Sequence, residues 1–144
     1  MANVTYRRAK RDILKGDIDF DVDDIRAILV MTNTTVDTEE TVTTISGFTT
    51  LDEMDGSGYA RVALTGEAVS EDAINNRAEF DATDTVFSSL GVGTRDIEGA
   101  LLYLHVTNDS DSIPLVFLDF APDVSANGGD ITITYNSEGI IQLT

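Results

Sequence analysis

The chain has 144 residues, no cysteine and a formal net charge of −17 at neutral pH. This length fits one domain with one hydrophobic core, and the lack of cysteine excludes disulfides and thiolate metal sites. The acidic balance argues against binding nucleic acid by phosphate neutralisation, and the apolar runs stop short of the roughly 18 residues of a membrane-spanning helix. We therefore expect a soluble protein with neither nucleic acid nor membrane as a partner.

Positive charge is concentrated at the start of the chain. Five of the nine basic residues lie in the first fifteen positions with one acid, so that segment carries +4 and the rest of the chain −21. The five residues are Arg7, Arg8, Lys10, Arg11 and Lys15. A basic segment on an acidic body suggests docking to an acidic surface, and these five residues are the predicted partner-binding site. The alternative is an intramolecular contact, for instance with Asp17–Asp24.

The basic segment also has the pattern of a short helix. Asn3 or Thr5 is placed to cap its start, and Gly16 follows Lys15 as a left-handed terminator. A helix of about ten residues is marginal alone and needs a surface to lie on. We expect residues 1–16 to form a basic arm or helix and residues 17–144 to form a single β-sandwich domain.

Between this helix and Leu51 the sequence predicts two strands, then a polar loop, then a third strand. Asp17–Asp23 alternates strictly, which predicts a half-buried strand or extended arm with Ile18, Phe20 and Val22 inward. Ile25–Met31 predicts a buried strand, Thr32–Thr44 an exposed loop or mobile edge, and Ile45–Leu51 a further short strand.

Two apolar runs, Ala100–Val106 and Ile113–Phe120, flank the polar hexad Thr107–Ser112 and are expected to form the core of the fold. Both runs are rich in residues that suit strands, and the hexad supplies residues typical of turns. Neither run alternates with polar residues, so both faces of this antiparallel hairpin should be covered.

Several further short strands are predicted, with no strand–helix alternation. They are Tyr59–Leu64, Ala78–Ala82, Ile131–Tyr135 and Ile140–Leu143. Short strands separated by Gly, Asp and Asn turns indicate an all-β fold, an antiparallel sandwich or jelly roll.

No arrangement of residues points to catalysis. His105 is the only histidine and has no nucleophile of recognisable context, so we expect it to be structural. Paired carboxylates of a polysaccharide hydrolase would need a cleft, and no spacing singles out a pair. We therefore expect neither an enzyme nor a cofactor.

The spacing of the aspartates raises the question of a calcium site. Asp19, Asp21 and Asp23 have the spacing of a calcium loop, but Asp24 stands where such a loop needs glycine, and an alternating strand explains the spacing more simply. The hexad carboxylates Asp109 and Asp111 are further possible ligands, although a turn needs such residues anyway. No metal site is predicted.

Six blocks of the chain together form a recognisable pattern: Arg11–Phe20, Ile25–Val30, Gly58–Ala60, Asn76–Ala82, Pro114–Phe120 and Gly129–Ile140. They resemble a family of small structural proteins from tailed bacteriophages, whose members commonly begin with a Leu-x-Gly-x-Ile-Asp segment before an apolar strand. The similarity covers most of the chain in order, except for Thr32–Thr50.

This resemblance implies a virion component made in the host cytoplasm. It implies a capsid decoration (cement) protein, commonly trimeric, that binds the major capsid protein on the outer surface of an HK97-type head and stabilises the shell. The alternative is a tail or fibre component that contacts a host surface glycan or protein. The small size and the +4 segment favour the decoration protein, since a receptor-binding tip usually adds aromatic residues and this chain has no tryptophan.

Overall fold

Antiparallel β-strands and one short α-helix make up the structure, a computed structural model that describes residues 3–144. In chain order the elements are β1 (Val4–Thr5), α1 (Arg7–Lys15), β2 (Ile25–Met31), a 3-10 turn (Ile45–Gly47), β3 (Val62–Ala63), β4 (Ala68–Asp72), β5 (Arg77–Asp81), β6 (Thr85–Phe87), β7 (Ile97–Leu104), β8 (Ile113–Val124), β9 (Ile131–Ile133) and β10 (Ile141–Leu143). The predicted all-β class with a short N-terminal helix is confirmed.

The central sheet has five strands in the order β1-β8-β7-β2-β3. Strands β7 and β8 pair antiparallel, with Leu101 opposite Phe117 and Leu102 opposite Val116, so the predicted hairpin is confirmed. The register shifts near Gly99, where an added Cβ would overlap the carbonyl oxygen of Leu118. Only glycine fits there without a shift of the β8 backbone.

Both faces of the central sheet are covered, as the apolar runs predict. The first face, which carries Leu29 and Leu102, packs against the residues of the two smaller sheets, including Phe80 and Phe87. The second face carries the alternate residues, such as Leu101. Because side chains alternate along a strand, an unbroken apolar run requires cover on both sides.

The second face is covered by the Thr-rich segment and the start of the helix. Val36, Ile45 and Phe48 are buried against it together with Tyr6. The backbone N–H of Ile45 donates to the carbonyl of Ser112 at 3.0 Å. The expectation of an exposed loop at Thr32–Thr44 is therefore incomplete, because its few apolar side chains belong to the core.

The predicted strand at Ile45–Leu51 is wrong. Only Ile45–Gly47 is regular, as a 3-10 turn, and residues 48–51 have no strand partner among residues 3–144. Ile45 and Phe48 are both buried and are three residues apart. A 3-10 turn places residues with this spacing on the same side, whereas a strand would place them on opposite faces.

The predicted strand at Asp17–Asp23 is also wrong. Ile18 and Phe20 are buried as expected, but Val22 is 79% exposed and the segment turns at residues 20–22. The carboxylate of Asp23 accepts the backbone N–H of Asp19 at 2.9 Å. Aspartates that accept their own backbone N–H groups favour turns over strands.

Two smaller sheets lie beside the central one, β10-β5-β4 and β6-β9. They contain the predicted strands around Ala78–Ala82, Ile131–Tyr135 and Ile140–Leu143, whereas Tyr59–Leu64 contributes only the two residues of β3. Strand β4 was not predicted, because four of its five residues are exposed and give no apolar signal. The jelly-roll arrangement stays a prediction.

The two outer strands of the β10-β5-β4 sheet differ at their edges. On the β4 edge, the carboxylate of Asp21 accepts the backbone N–H of Val69 at 2.8 Å. Strand β10 pairs with β5 on one side and has no strand partner on the other among residues 3–144. One edge of this sheet therefore carries a carboxylate, and the other is open.

We predict that large-to-small substitutions in the central sheet are costly. Leu102→Ala removes a side chain buried on the first face and should lower the free energy of unfolding by about 2–5 kcal/mol. Phe117→Ala, on the second face, should cost about 3–5 kcal/mol. Denaturant titration measures both, with Leu14→Ala as the control because Leu14 is 84% exposed. Losses below about half a kcal/mol for both core variants would place the core elsewhere.

Candidate functional site

The basic helix α1 is fixed to the body at its first turn. Tyr6 precedes the helix and is fully buried, and its backbone N–H donates to the carbonyl of Leu115 at 3.1 Å. Its hydroxyl donates to the carbonyl of Val36 at 2.6 Å, and its ring packs edge-on against Phe48. The start of α1 therefore has a set position relative to the central sheet.

The end of the helix is closed by Gly16. This residue has φ +73°, its N–H donates to the carbonyl of Ile13, and the N–H of Asp17 donates to the carbonyl of Asp12 at 2.9 Å. These two bonds form a Schellman motif, and they confirm Gly16 as the left-handed terminator. The predicted cap at the start is wrong: no side chain caps the helix, and Asn3 accepts the backbone N–H of Asp119 instead.

Two of the five predicted partner-binding residues hold a buried carboxylate. Asp12 is 2% exposed, and the Nε atoms of Arg8 and Arg11 each donate to one of its oxygens at 2.7 Å. Burial alone favours the protonated form of Asp12, but the hydrogen bonds from both arginines outweigh it and lower the pKa of Asp12. Arg8 and Arg11 therefore have an internal role on the helix.

The other three predicted residues fall into two groups. Lys15 is exposed and pairs with Asp17 at 2.5 Å. Arg7 and Lys10 are exposed and make no ion pair with residues 3–144. The positive charge still available to a partner is therefore at Arg7 and Lys10.

Every other basic residue of the described chain is paired with an acid. Arg61 is the most extensively bonded: its guanidinium meets Glu53 at 2.7 Å and Asp109 at 2.5 Å, and it lies over the ring of Tyr103. Hydrogen bonds from Arg61 lower the pKa of Asp109. This cluster ties the β3 side of the central sheet to the β7–β8 turn. The remaining pairs are Arg26–Asp24, Arg77 with Asp72, Glu79 and Glu138, and Arg95–Asp52.

The carboxylates considered for metal binding make hydrogen bonds within the protein. Asp19 accepts the N–H of Asp21, Asp21 accepts that of Val69, and Asp109 holds Arg61. Within residues 3–144, no group of three or more His, Asp or Glu side chains is arranged to hold a metal ion.

His105 lies just after β7, one residue beyond the end of the strand at Leu104. Its backbone N–H donates to the carbonyl of Asp24 at 2.8 Å, and its ring stands edge-on to Tyr103. Its Nδ1 is buried and has no hydrogen-bond partner among the described residues. These contacts place the ring beside the Arg61 cluster.

The sequence interpretation missed the role of Asp12, which it counted only as one negative charge. The signal was present, because Arg8 and Asp12 are four residues apart and such pairs face each other on a helix. Which cations remain free depends on the burial of that carboxylate, and burial is not visible in the sequence alone.

We predict that Asp12 makes the stability of the protein depend on pH. A carboxyl whose pKa is lowered by folding stabilises the fold above its unfolded pKa, about 3.9, and the stabilisation is lost as pH falls through the folded value. Asp12→Asn should therefore cost about 1–2 kcal/mol at pH 7, a range reduced because both arginines are partly exposed. The difference from the unmodified protein should shrink below about pH 4. Denaturant titrations at both pH values test this, and a difference that does not change with pH would contradict it.

Among residues 3–144, no helix has the length and apolar character needed to cross a membrane. No family model matches the chain, and no curated protein or solved structure shows significant similarity to it.

Proposed function

We propose that this protein is a capsid decoration protein that binds the outer surface of an HK97-type bacteriophage head and stabilises the shell. The sequence blocks that resemble small phage structural proteins support this proposal. The partner is the major capsid protein, and the contact is made by the exposed side of α1.

The observation that carries the proposal is that two exposed cations of α1 have no ion pair within residues 3–144. Arg7 and Lys10 are exposed and without ion pairs in the described chain, although the protein has a net charge of −17. An acidic body repels an acidic surface, and a local positive area is what allows the two to approach. Arg8 and Arg11 contribute by holding Asp12, which neutralises the one acid of the helix.

The fixed position of α1 also favours a binding role. Tyr6 holds one end of the helix and the Gly16 motif closes the other, so Arg7 and Lys10 are presented at a set place on the surface. A partner then orders only the two side chains on binding, which keeps the entropy cost low.

We predict that removing the two free charges weakens binding to shells. The double variant Arg7→Ser, Lys10→Ser should bind protein-free shells of the phage roughly 2- to 30-fold more weakly at low salt, since an exposed ion pair contributes about 0.2–1 kcal/mol. The deficit should shrink at high salt, where charges are screened. Co-sedimentation with shells measures the affinity, and thermal unfolding checks that the free protein is unaffected.

The matched control is the double variant Lys15→Ser, Arg26→Ser. It removes the same net charge from two exposed or partly exposed cations, each of which already pairs with an acid two residues away in the chain. It should bind shells nearly as the unmodified protein does. Equal loss in the two variants would mean that only overall charge matters, and unchanged binding in both would end the docking proposal.

We also propose that the protein is a homotrimer in the assembled state, an expectation that rests on the resemblance. The density map of an intact virion tests it directly, because it shows both the position and the symmetry of the protein. Threefold groups on the head are the expected result. Ungrouped copies would contradict the trimer, and density on the tail would favour a tail or fibre component.

A further inference from the structure

A groove runs along α1, between the helix and the end of the chain. It consists of two adjoining cavities of about 520 and 380 Å³, which share Ile13, Ile141 and Leu143 in their walls. The larger cavity extends to Thr5 and Lys10, and the smaller one extends to Phe20 and to residues of the β10-β5-β4 sheet such as Phe80. The groove therefore lies next to Lys10, one of the two unpaired cations of the candidate site.

Two strand edges face the larger cavity. Strand β10 forms one wall, and its outer edge is open. The other wall contains β1, the edge strand of the central sheet. The N–H of Tyr6, the residue after β1, donates to the carbonyl of Leu115 in β8. Because successive residues of an antiparallel strand direct their backbone groups to opposite sides, the N–H and C=O of Thr5 point away from β8. Unpaired backbone groups on both walls are a template for an added strand.

Exposed apolar side chains line part of the groove, and the carboxylates Asp19, Asp21 and Glu79 lie at the smaller cavity. Leu14 is 84% exposed and Leu143 51% exposed, and both line the larger cavity. Val69 lines the smaller cavity and is also half exposed. Exposed apolar side chains gathered around one groove are typical of a binding surface.

The positive charge beside the larger cavity selects the kind of side chain that an occupant would place there. Lys10 lines the larger cavity, and it has no ion pair within residues 3–144. Arg7 lies one helical turn before Lys10. A carboxylate on the incoming segment complements this charge, while apolar residues at alternate positions fit Leu14 and Leu143.

We propose that this groove binds an extended segment of the major capsid protein, carrying alternate apolar residues and at least one carboxylate, as a strand added beside β10. The inference rests on the proposed function and names how the partner is held. Backbone hydrogen bonds and apolar contacts in the groove hold the segment, and Arg7 and Lys10 attract its acid.

Amide hydrogen exchange on the protein bound to shells tests strand addition. Exchange at Thr5 and at one or more residues of Ile141–Leu143 should slow by about tenfold or more on binding, because new backbone hydrogen bonds protect these amides. The N–H of Thr94, which donates to Asp55 at 2.8 Å and lies outside both cavities, is the internal control and should not change. Unchanged exchange at Thr5 and β10 in a protein that binds shells would overturn the inference.

Substitution of Leu14 gives a second test. Leu14→Asp places a carboxylate where the acidic segment would lie and should weaken shell binding about tenfold or more, including at high salt where apolar contacts persist. The matched control is Val92→Asp, because Val92 is 74% exposed and lies outside both cavities. Both sites are exposed, so both variants should fold. Equal binding by the two variants would count against the groove.

The outcomes separate this inference from the proposed function. Binding that depends on Arg7 and Lys10 but not on Leu14, with unchanged exchange at β10, would keep the decoration role and remove the groove. A protein that does not bind shells at all would remove both. If the free protein self-associates and loses this on Leu14→Asp, the groove binds a second copy, and the capsid segment is excluded.

Discussion

The structure depends on one constraint: the central strands β2, β7 and β8 are apolar on both faces, so each face must be covered by another part of the chain. Two different solutions meet this requirement. Small sheets with Phe80 and Phe87 cover the first face, and an irregular Thr-rich segment with Val36 and Phe48 covers the second. The basic helix is positioned by the same requirement, because Tyr6 is one of the side chains that close the second face.

Electrostatics follow from this arrangement. In a chain with so few cations, almost every one is used to hold acids within the fold, as the Arg61 cluster and the Asp12 pair show. Arg7 and Lys10 are the exceptions within residues 3–144. Of the two alternatives, the structure shows the intramolecular one in part: Arg8 and Arg11 contact Asp12, and Lys15 contacts Asp17 of the Asp17–Asp24 region. Docking to a partner stays a proposal that rests on Arg7 and Lys10.

The sequence was informative where one physical signal dominated. The hairpin of β7 and β8 and the end of the helix at Gly16 were predicted because long apolar runs and a glycine terminator have few other solutions. At Asp17–Asp23 apolar and acidic residues alternate, and Ile18 and Phe20 are buried as this alternation predicts. The conformation is nevertheless a turn, because the aspartates accept hydrogen bonds from nearby backbone N–H groups. Strand β4 has no buried apolar face, and the core role of Val36 depends on contacts distant in the chain. Neither the groove nor the two free cations can be derived without three-dimensional positions.

The carboxylate of Asp21 at the β4 edge limits how this protein associates with itself. An incoming strand would need to place a carbonyl oxygen on the N–H of Val69, where Asp21 already accepts that hydrogen. Continuous association of copies through this sheet would need both of its edges, β10 and β4. If a strand adds only beside β10, pairing does not continue from one copy to the next through β4. Even at the high local concentration of a crowded surface, the Asp21 carboxylate therefore disfavours edge-to-edge growth of this sheet into a fibre.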